Sequence, residues 1–291
     1  MTGHKAPLVK AFLEPDSETF SYVVYDRPGG QAVVIDPVLG FDYAAGRTRT
    51  DSAQKLLDFV REQRLTVPWV LETHAHADHL SAAPFLRELL GAKIGIGEQI
   101  TEVQAIFRDV FELEATFLPD GSQFDRLFAD GDTLEVGELN IRVMHTPGHT
   151  PADLTYVINE QAAFVGDTLF MPDVGTARCD FPGGSASRLY QSIQRLLALP
   201  ESTDIHVCHD YPKPGRDHRH GTTVAEQRQH NIHVRDGIDE ASFVRMRQER
   251  DATLGMPRLI LPAIQVNIRA GQMPPADEQG KVFLKIPIDR L

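Results

Sequence analysis

Apolar positions along the chain follow two periods, and the switch between them predicts the elements. Period-two alternation and short apolar runs mark residues 8–13, 19–26 and 31–36, with turn chemistry such as DRPGGQ between them, so an antiparallel meander is predicted. TDSAQKLLDFVREQR then brings Ala53, Leu56, Leu57 and Val60 onto one helical face, behind Thr50 or Asp51 as a cap. VPWVLE reads as a buried strand, a helix runs from about Ser81 to Gly91, and AKIGIG is a further strand. The second half repeats this rhythm. Strands are predicted at 140–145, 154–159 and 162–166, SASRLYQSIQRLLALP is a helix that stops before Pro200, and DIHVCH is a strand. Beyond about Thr222 the pattern turns helical (TVAEQRQHNIHVRDG, then DEASFVRMRQERDATL), and the chain closes with PRLILPAIQVNIRAG and a Pro-rich tail.

Two such passes predict an α/β fold in which two mixed sheets pack face to face with helices outside, an αββα sandwich. We divide the chain into a catalytic unit, 1–235, and a C-terminal helix and closing segment, 236–291, that pack back on it. Ile238, Phe243, Val244 and Met246 leave two outcomes open: a homodimer contact, or packing on the protein's own core.

Composition narrows the classes. With 42% hydrophobic and 24% charged residues the chain reads as an ordinary globular protein, long enough to bury a core without a metal to hold it. A formal charge of −12 disfavours nucleic acid as a partner. No apolar run is long enough for a membrane span, no targeting segment is evident, and Cys179 and Cys208 make no disulfide framework. These features lead us to expect a cytoplasmic protein. The short basic stretch KPGRDHRH, 213–220, best fits one small anionic ligand.

The chemistry concentrates in LETHAHADHLSAA, where His74, His76, Asp78 and His79 fall within six positions. His149 in HTPGHTPAD, Asp167 in FVGDTLF and His209 in IHVCHDYP follow, each just beyond an apolar run and beside Gly or Pro. Loops at strand ends can be shaped without disturbing the core, so these seven residues read together as a metal site. The other histidines read differently: His145 as packed or supporting, His206 as structural, and His218, His220, His230 and His233 as solvent-exposed.

His-x-His-x-Asp-His followed by His149, Asp167 and His209 resembles the metallo-β-lactamase superfamily, over roughly residues 8–211. That resemblance implies a metal-centred enzyme and leaves the reaction open. In the glyoxalase II branch all seven residues would hold two zinc ions for thioester hydrolysis. In the persulfide dioxygenase branch, His74, His149 and Asp167 would hold one Fe(II), and His76, Asp78, His79 and His209 would orient ligands and water. VGTARCDFPGG, CHDYP and LILPAIQVNIRAG are similar to the dioxygenase branch, in a longer bacterial subgroup. Cys179, the Gln265-Val266 pair before Asn267, and the 212–222 loop with the 235–255 helix depart from its pattern. The resemblance therefore implies oxidation of glutathione persulfide by O2 to sulfite and glutathione. Because that substrate is anionic, Arg178, Arg269 and Tyr211 are the candidate contacts, with Arg216 and Arg219 behind them. Cys179 reads as a bystander.

Overall fold

The structure, a computed structural model, describes residues 5–290; the outermost residues of the two predicted units, 1–4 and 291, lie outside the described residues. The meander forms as predicted, from Leu8–Glu14 (β1), Thr19–Tyr25 (β2) and Gln31–Ile35 (β3). A hairpin follows, Val38–Asp42 (β4) with Arg47–Arg49 (β5), then the helix Asp51–Glu62 (α1). Next come Thr66–Leu71 (β6), the two-residue strand Leu80–Ser81 (β7) and the helix Ala83–Leu90 (α2), which ends at Gly91 in the left-handed conformation. Lys93–Gly97 (β8), Ile100–Val110 (α3) and Arg126–Phe128 (β9) complete the first half.

The second half runs through Thr133–Val136 (β10), Leu139–His145 (β11), Leu154–Ile158 (β12) and Ala162–Phe164 (β13). The helix Ala186–Leu197 (α4) crosses to Asp204–His206 (β14) and Gly221–Thr223 (β15), and then come the helices Val224–His230 (α5), Glu240–Asp251 (α6) and Ile260–Asn267 (α7).

Among the described residues these strands form one sheet of order β1-β2-β3-β6-β8-β9, a second of order β10-β11-β12-β13-β14-β15, and a small one, β5-β4-β7. The parallel pairs β3/β6, β6/β8, β8/β9 and β13/β14 each need a crossover, which α1, α2, α3 and α4 supply.

Alternation of side chains explains the layers. On β2 and β3, Val23 and Val34 face the cluster beneath the first-half helices, while Tyr22, Val24, Val33 and Ile35 face the second sheet. On β12 and β13, Tyr156, Ile158 and Phe164 face the first sheet, and Val157 and Ala163 face the helix side. Both faces of both sheets are therefore buried, and the predicted αββα sandwich is the observed fold.

Three departures have physical reasons. α3 is absent from the predicted elements because Gln104 interrupts its apolar stripe; the amide is fully buried, donating to the Ile268 carbonyl at 2.8 Å and accepting from Gly121 N at 2.9 Å. The helix predicted after Thr222 stops at His230, and His233 is buried, accepting from Thr176 N at 3.0 Å, not solvent-exposed. The apolar face of α6 packs inside the chain: Phe243 is fully buried and the partly buried Ile238, Val244 and Met246 pack on the same cluster as Leu189 and Ile193 of α4, so packing on the protein's own core, one of the two outcomes left open, is observed. No helix among the described residues is long and apolar enough to cross a membrane.

Candidate metal centre

The candidate ligands leave the C-terminal ends of β6, β11, β13 and β14, where the two sheets open along one edge. The sheets are stitched there by a bridge between Thr19 and His209, with Phe20 N donating to the Cys208 carbonyl at 2.7 Å. Glycine permits the close approach at two ligands. Gly166, beside Asp167, has φ +51°, and a Cβ there would lie 2.7 Å from Thr73 Oγ1. Gly148, beside His149, packs against the α4 backbone, where a Cβ would meet Leu189 at 2.4 Å.

Donor atoms from His74, His149 and Asp167 lie within 4.8 Å of one another; so do those of His76, Asp78 and His79, of Asp167, Cys208 and His209, and of Asp36, Glu72 and His76. His149 Nε2 stands 3.5 Å from Asp167 Oδ2, and His209 Nε2 is 3.4 Å from Asp167 Oδ1 and 3.3 Å from Asp78 Oδ2. Thus the structure brings all seven sequence-predicted ligands together.

Their free atoms test whether a cation fits. His74 Nε2, His76 Nδ1, His79 Nε2, Asp167 Oδ1 and His209 Nε2 are buried and form no hydrogen bond. Stranding one buried polar atom costs about 1–3 kcal/mol, so a convergent set of five such atoms is hard to sustain unless a cation takes them. Imidazole nitrogens with carboxylate oxygens suit zinc or ferrous iron. The residues fit a metal.

Each ring is oriented by its other nitrogen. His149 Nδ1 donates to the Arg178 carbonyl at 2.8 Å, which aims Nε2 inward; His209 Nδ1 lies 3.2 Å from the Glu18 carbonyl. His74 Nδ1 meets Thr73 Oγ1 at 3.1 Å and lies 4.0 Å from Asp153. Burial lifts the Asp153 carboxyl to about 7, although Thr150 donates to it twice. His76 Nε2 faces Asp36 Oδ1 at 3.0 Å and Glu72 at 3.6 Å. Burial opposes a charge on His76, yet the Asp36 carboxylate beside it prevails and raises the imidazole well above its usual range. Asp36 is itself fixed by Thr73 N at 2.7 Å and Thr73 Oγ1 at 2.8 Å.

The closing segment reaches this loop. Asn267 Nδ2 donates to the carbonyls of His76 and His79, both at 2.8 Å, and its Oδ1 accepts from Ser81 N at 2.8 Å. Sequence reasoning placed Asn267 in a family-like stretch without seeing this clamp. Asp36, Glu72 and Asp153 were missed altogether, since a lone acidic residue after a strand carries no spacing signal.

A cavity of about 390 Å³ opens over the cluster, with Asp78, His149 and Asp167 on its floor and Phe170, Phe181 and Tyr211 in its walls. Tyr211 stacks on His209 at 5.7 Å, and Arg178 lies over Phe181. Both therefore line the cavity as expected, although Arg178 is already gripped by Asp180 at 2.6 and 2.7 Å.

The other predicted contacts are corrected. Arg269 does not line this cavity: it forms a fork on Glu114 at 2.7 and 2.9 Å and covers Phe117. In the 213–220 loop Arg216 is saturated by Asp210 and Asp173, and the exposed Arg219, whose backbone N–H serves Asp210, does not line this cavity. His206 stacks on Phe164 at 4.7 Å and His220 packs beside it, half-buried, not exposed. Cys179 is buried, and burial pushes its thiol up, as suits a bystander.

The profile of the metallo-beta-lactamase superfamily matches residues 15–209. A Burkholderia pseudomallei protein named a probable metallo-hydrolase is 51% identical over 97% of this chain and 99% of its own length. A Dictyostelium discoideum protein named glyoxylase B2 is 48% identical over 97% of each. The mitochondrial persulfide dioxygenase ETHE1 of Bos taurus is 31% identical over 94% of both chains. Among solved structures, ETHE1 from Myxococcus xanthus superposes with a TM-score of 0.72 at 30% identity, over 91% of this chain and all of that one. The profile match runs from the first sheet through His209 and takes in every candidate ligand; the chain belongs to the metallo-β-lactamase superfamily.

Proposed function

We propose that this chain is an Fe(II)-dependent persulfide dioxygenase that oxidises glutathione persulfide with O2 and water to sulfite and glutathione. The observation that carries the reading is the grouping of two imidazoles and one carboxylate, His74, His149 and Asp167, of which His149 and Asp167 line an accessible cavity. Such a set would hold a ferrous ion through three protein ligands, with coordination positions to spare for reactants. Its likeness to the ETHE1 proteins supports the same choice.

When bound, ferrous iron supplies the one-electron chemistry that makes O2 reactive toward a sulfane sulfur. The protein's own groups do the rest. The Arg178 carbonyl and Thr73 hydroxyl hold the two imidazoles in place, so the ligand set needs little rearrangement. Phe170, Phe181 and Tyr211 give the cavity aromatic walls against which the uncharged part of the substrate packs.

A binuclear zinc hydrolase acting on a glutathione thioester is the second reading. One observation favours it: His79 Nε2 and His209 Nε2 are also buried without partners, beside Asp78 and the shared Asp167. Anaerobic purification with metal counting separates the two. About one iron per chain, with oxygen uptake on adding glutathione persulfide, is the expected result; two zincs and thioester hydrolysis without oxygen uptake would overturn it. Asp167→Ala is expected to abolish both iron binding and uptake, whereas His209→Ala retains most of the iron.

A further inference from the structure

The floor of the cavity leaves open how a substrate's far end is recognised, and the charges around the mouth address that. Four arginines line the cavity: Arg178, Arg247, Arg250 and Arg258. Two are already neutralised. Arg178 is paired with Asp180, and the buried Arg247 with Asp251 at 2.7 Å. Arg250 and Arg258 are exposed and have no carboxylate within ion-pair distance among the described residues. The acidic residue at the mouth, Asp16, is taken by Arg49 at 2.9 Å. In a chain of net charge −12, two unneutralised guanidinium groups over one cavity stand out.

These groups are not on a loose appendage. Cys179 N donates to Asp251 at 2.9 Å, Arg247 donates to the Thr176 carbonyl at 3.0 Å, and Arg178 donates to the Gly255 carbonyl at 2.6 Å. Three bonds thus pin α6 and the loop after it to the segment whose Arg178 carbonyl orients His149. The mouth is held in register with the floor.

We propose that Arg250 and Arg258 form a two-point carboxylate clamp that selects small sulfur compounds bearing two carboxylates, with the sulfur end directed to the floor. A guanidinium matches a carboxylate in fork geometry, and two of them suit a tripeptide that carries two carboxylates. The apolar lining from Leu254 and Pro257 packs against the uncharged middle of such a ligand. A volume of about 390 Å³ falls within the roughly 300–1,000 Å³ of small-molecule sites. The sulfur end's destination rests on the function proposed above; the clamp itself does not.

The test is calorimetric titration of the metal-loaded protein with glutathione and with its diethyl ester. The proteins compared are wild type, Arg250→Ala, Arg258→Ala, the double variant and Arg245→Ala, an exposed arginine on the same helix outside the cavity. Each clamp variant is expected to weaken glutathione binding about tenfold, as for loss of one charge-assisted hydrogen bond. The double variant should bind glutathione and the ester alike, while Arg245→Ala behaves as wild type. Wild type binding the ester as tightly as glutathione, or a double variant that keeps full glutathione affinity, overturns the clamp. Circular dichroism of each variant identifies any that fails to fold, and Arg→Lys exchange at both positions, which keeps the charge but loses the fork, then decides with partial binding expected and undiminished binding contrary. Glutathione binding through the pair without oxygen uptake on the persulfide would defeat the proposed function and leave the clamp standing; oxygen uptake with unchanged affinity in the double variant would do the reverse.

Discussion

The floor of the cavity and its mouth are built on opposite principles. At the floor every candidate ligand is nine-tenths or more buried except Asp78, and each ring is held through its second nitrogen by a carbonyl, hydroxyl or carboxylate. At the mouth Arg250 and Arg258 are exposed side chains on an anchored backbone. Rigidity is concentrated where atoms must meet within tenths of an ångström, and freedom remains where a flexible ligand has only to be caught. On the proposed function and clamp, reaction class and substrate choice would reside in different parts of the chain: the first in loops between strands, the second in α6 and the segment behind it.

Asn267 is where this division is most easily broken, because a residue of the closing helix supports the floor. Asn267→Ala strands the buried carbonyls of His76 and His79, and we expect a loss of about 3 kcal/mol in stability, read from urea unfolding of the metal-free protein. Faster metal loss on dialysis should accompany it, with glutathione affinity little changed. A variant that keeps its metal and its urea midpoint would mean the clamp on the histidine loop is redundant.

Arg269 sharpens the comparison from the other side. Its side chain is 8% exposed and its partner Glu114 35%, so Arg269→Ala should cost about 1–2 kcal/mol after allowing for solvent screening. Its affinity for glutathione should equal that of wild type, opposite to Arg250→Ala. A large fall in affinity with unchanged stability would return Arg269 to the substrate site.

The smallest effect concerns the layer beneath the floor. Burial depresses His206 to about 3, and His233 to about 4. An unfolded histidine takes its proton near 6.5, so between that value and these the unfolded state binds more protons and stability falls as the pH falls. Metal-free wild type is expected to lose stability from pH 7 to pH 5.5, and His206→Gln to lose about 1 kcal/mol less over that interval. Equal losses in both proteins would show that His206 is not a source of the acid sensitivity.

Much of the floor was legible in the sequence. His74, His76, Asp78 and His79 announce themselves by spacing, and His149, Asp167 and His209 by the glycine or proline that lets a strand end in a tight turn. Period-two runs bounded by turns were enough to predict the meander and the central strands of both sheets, because their neighbours are close in the chain or joined by one helix, while the short edge strands β9, β10 and β15 went unpredicted. Gln104 shows the limit: a buried amide looks like a break in an apolar stripe until the Ile268 carbonyl is seen to receive it.

The mouth was misjudged for a related reason. Arg269 and Arg250 look alike in a sequence, and only the fold decides that Glu114 lies against one while no carboxylate lies against the other. Local periodicity and residue spacing therefore determined the sandwich and picked out the seven side chains of the candidate metal site. Tertiary structure alone decided the supporting roles of Asp36, Asp153 and Asn267 and which cations remain free. The cause is distance along the chain: Asn267 meets His76 across 191 residues. Such a contact leaves no pattern in either stretch, since neither one's local preferences depend on the other.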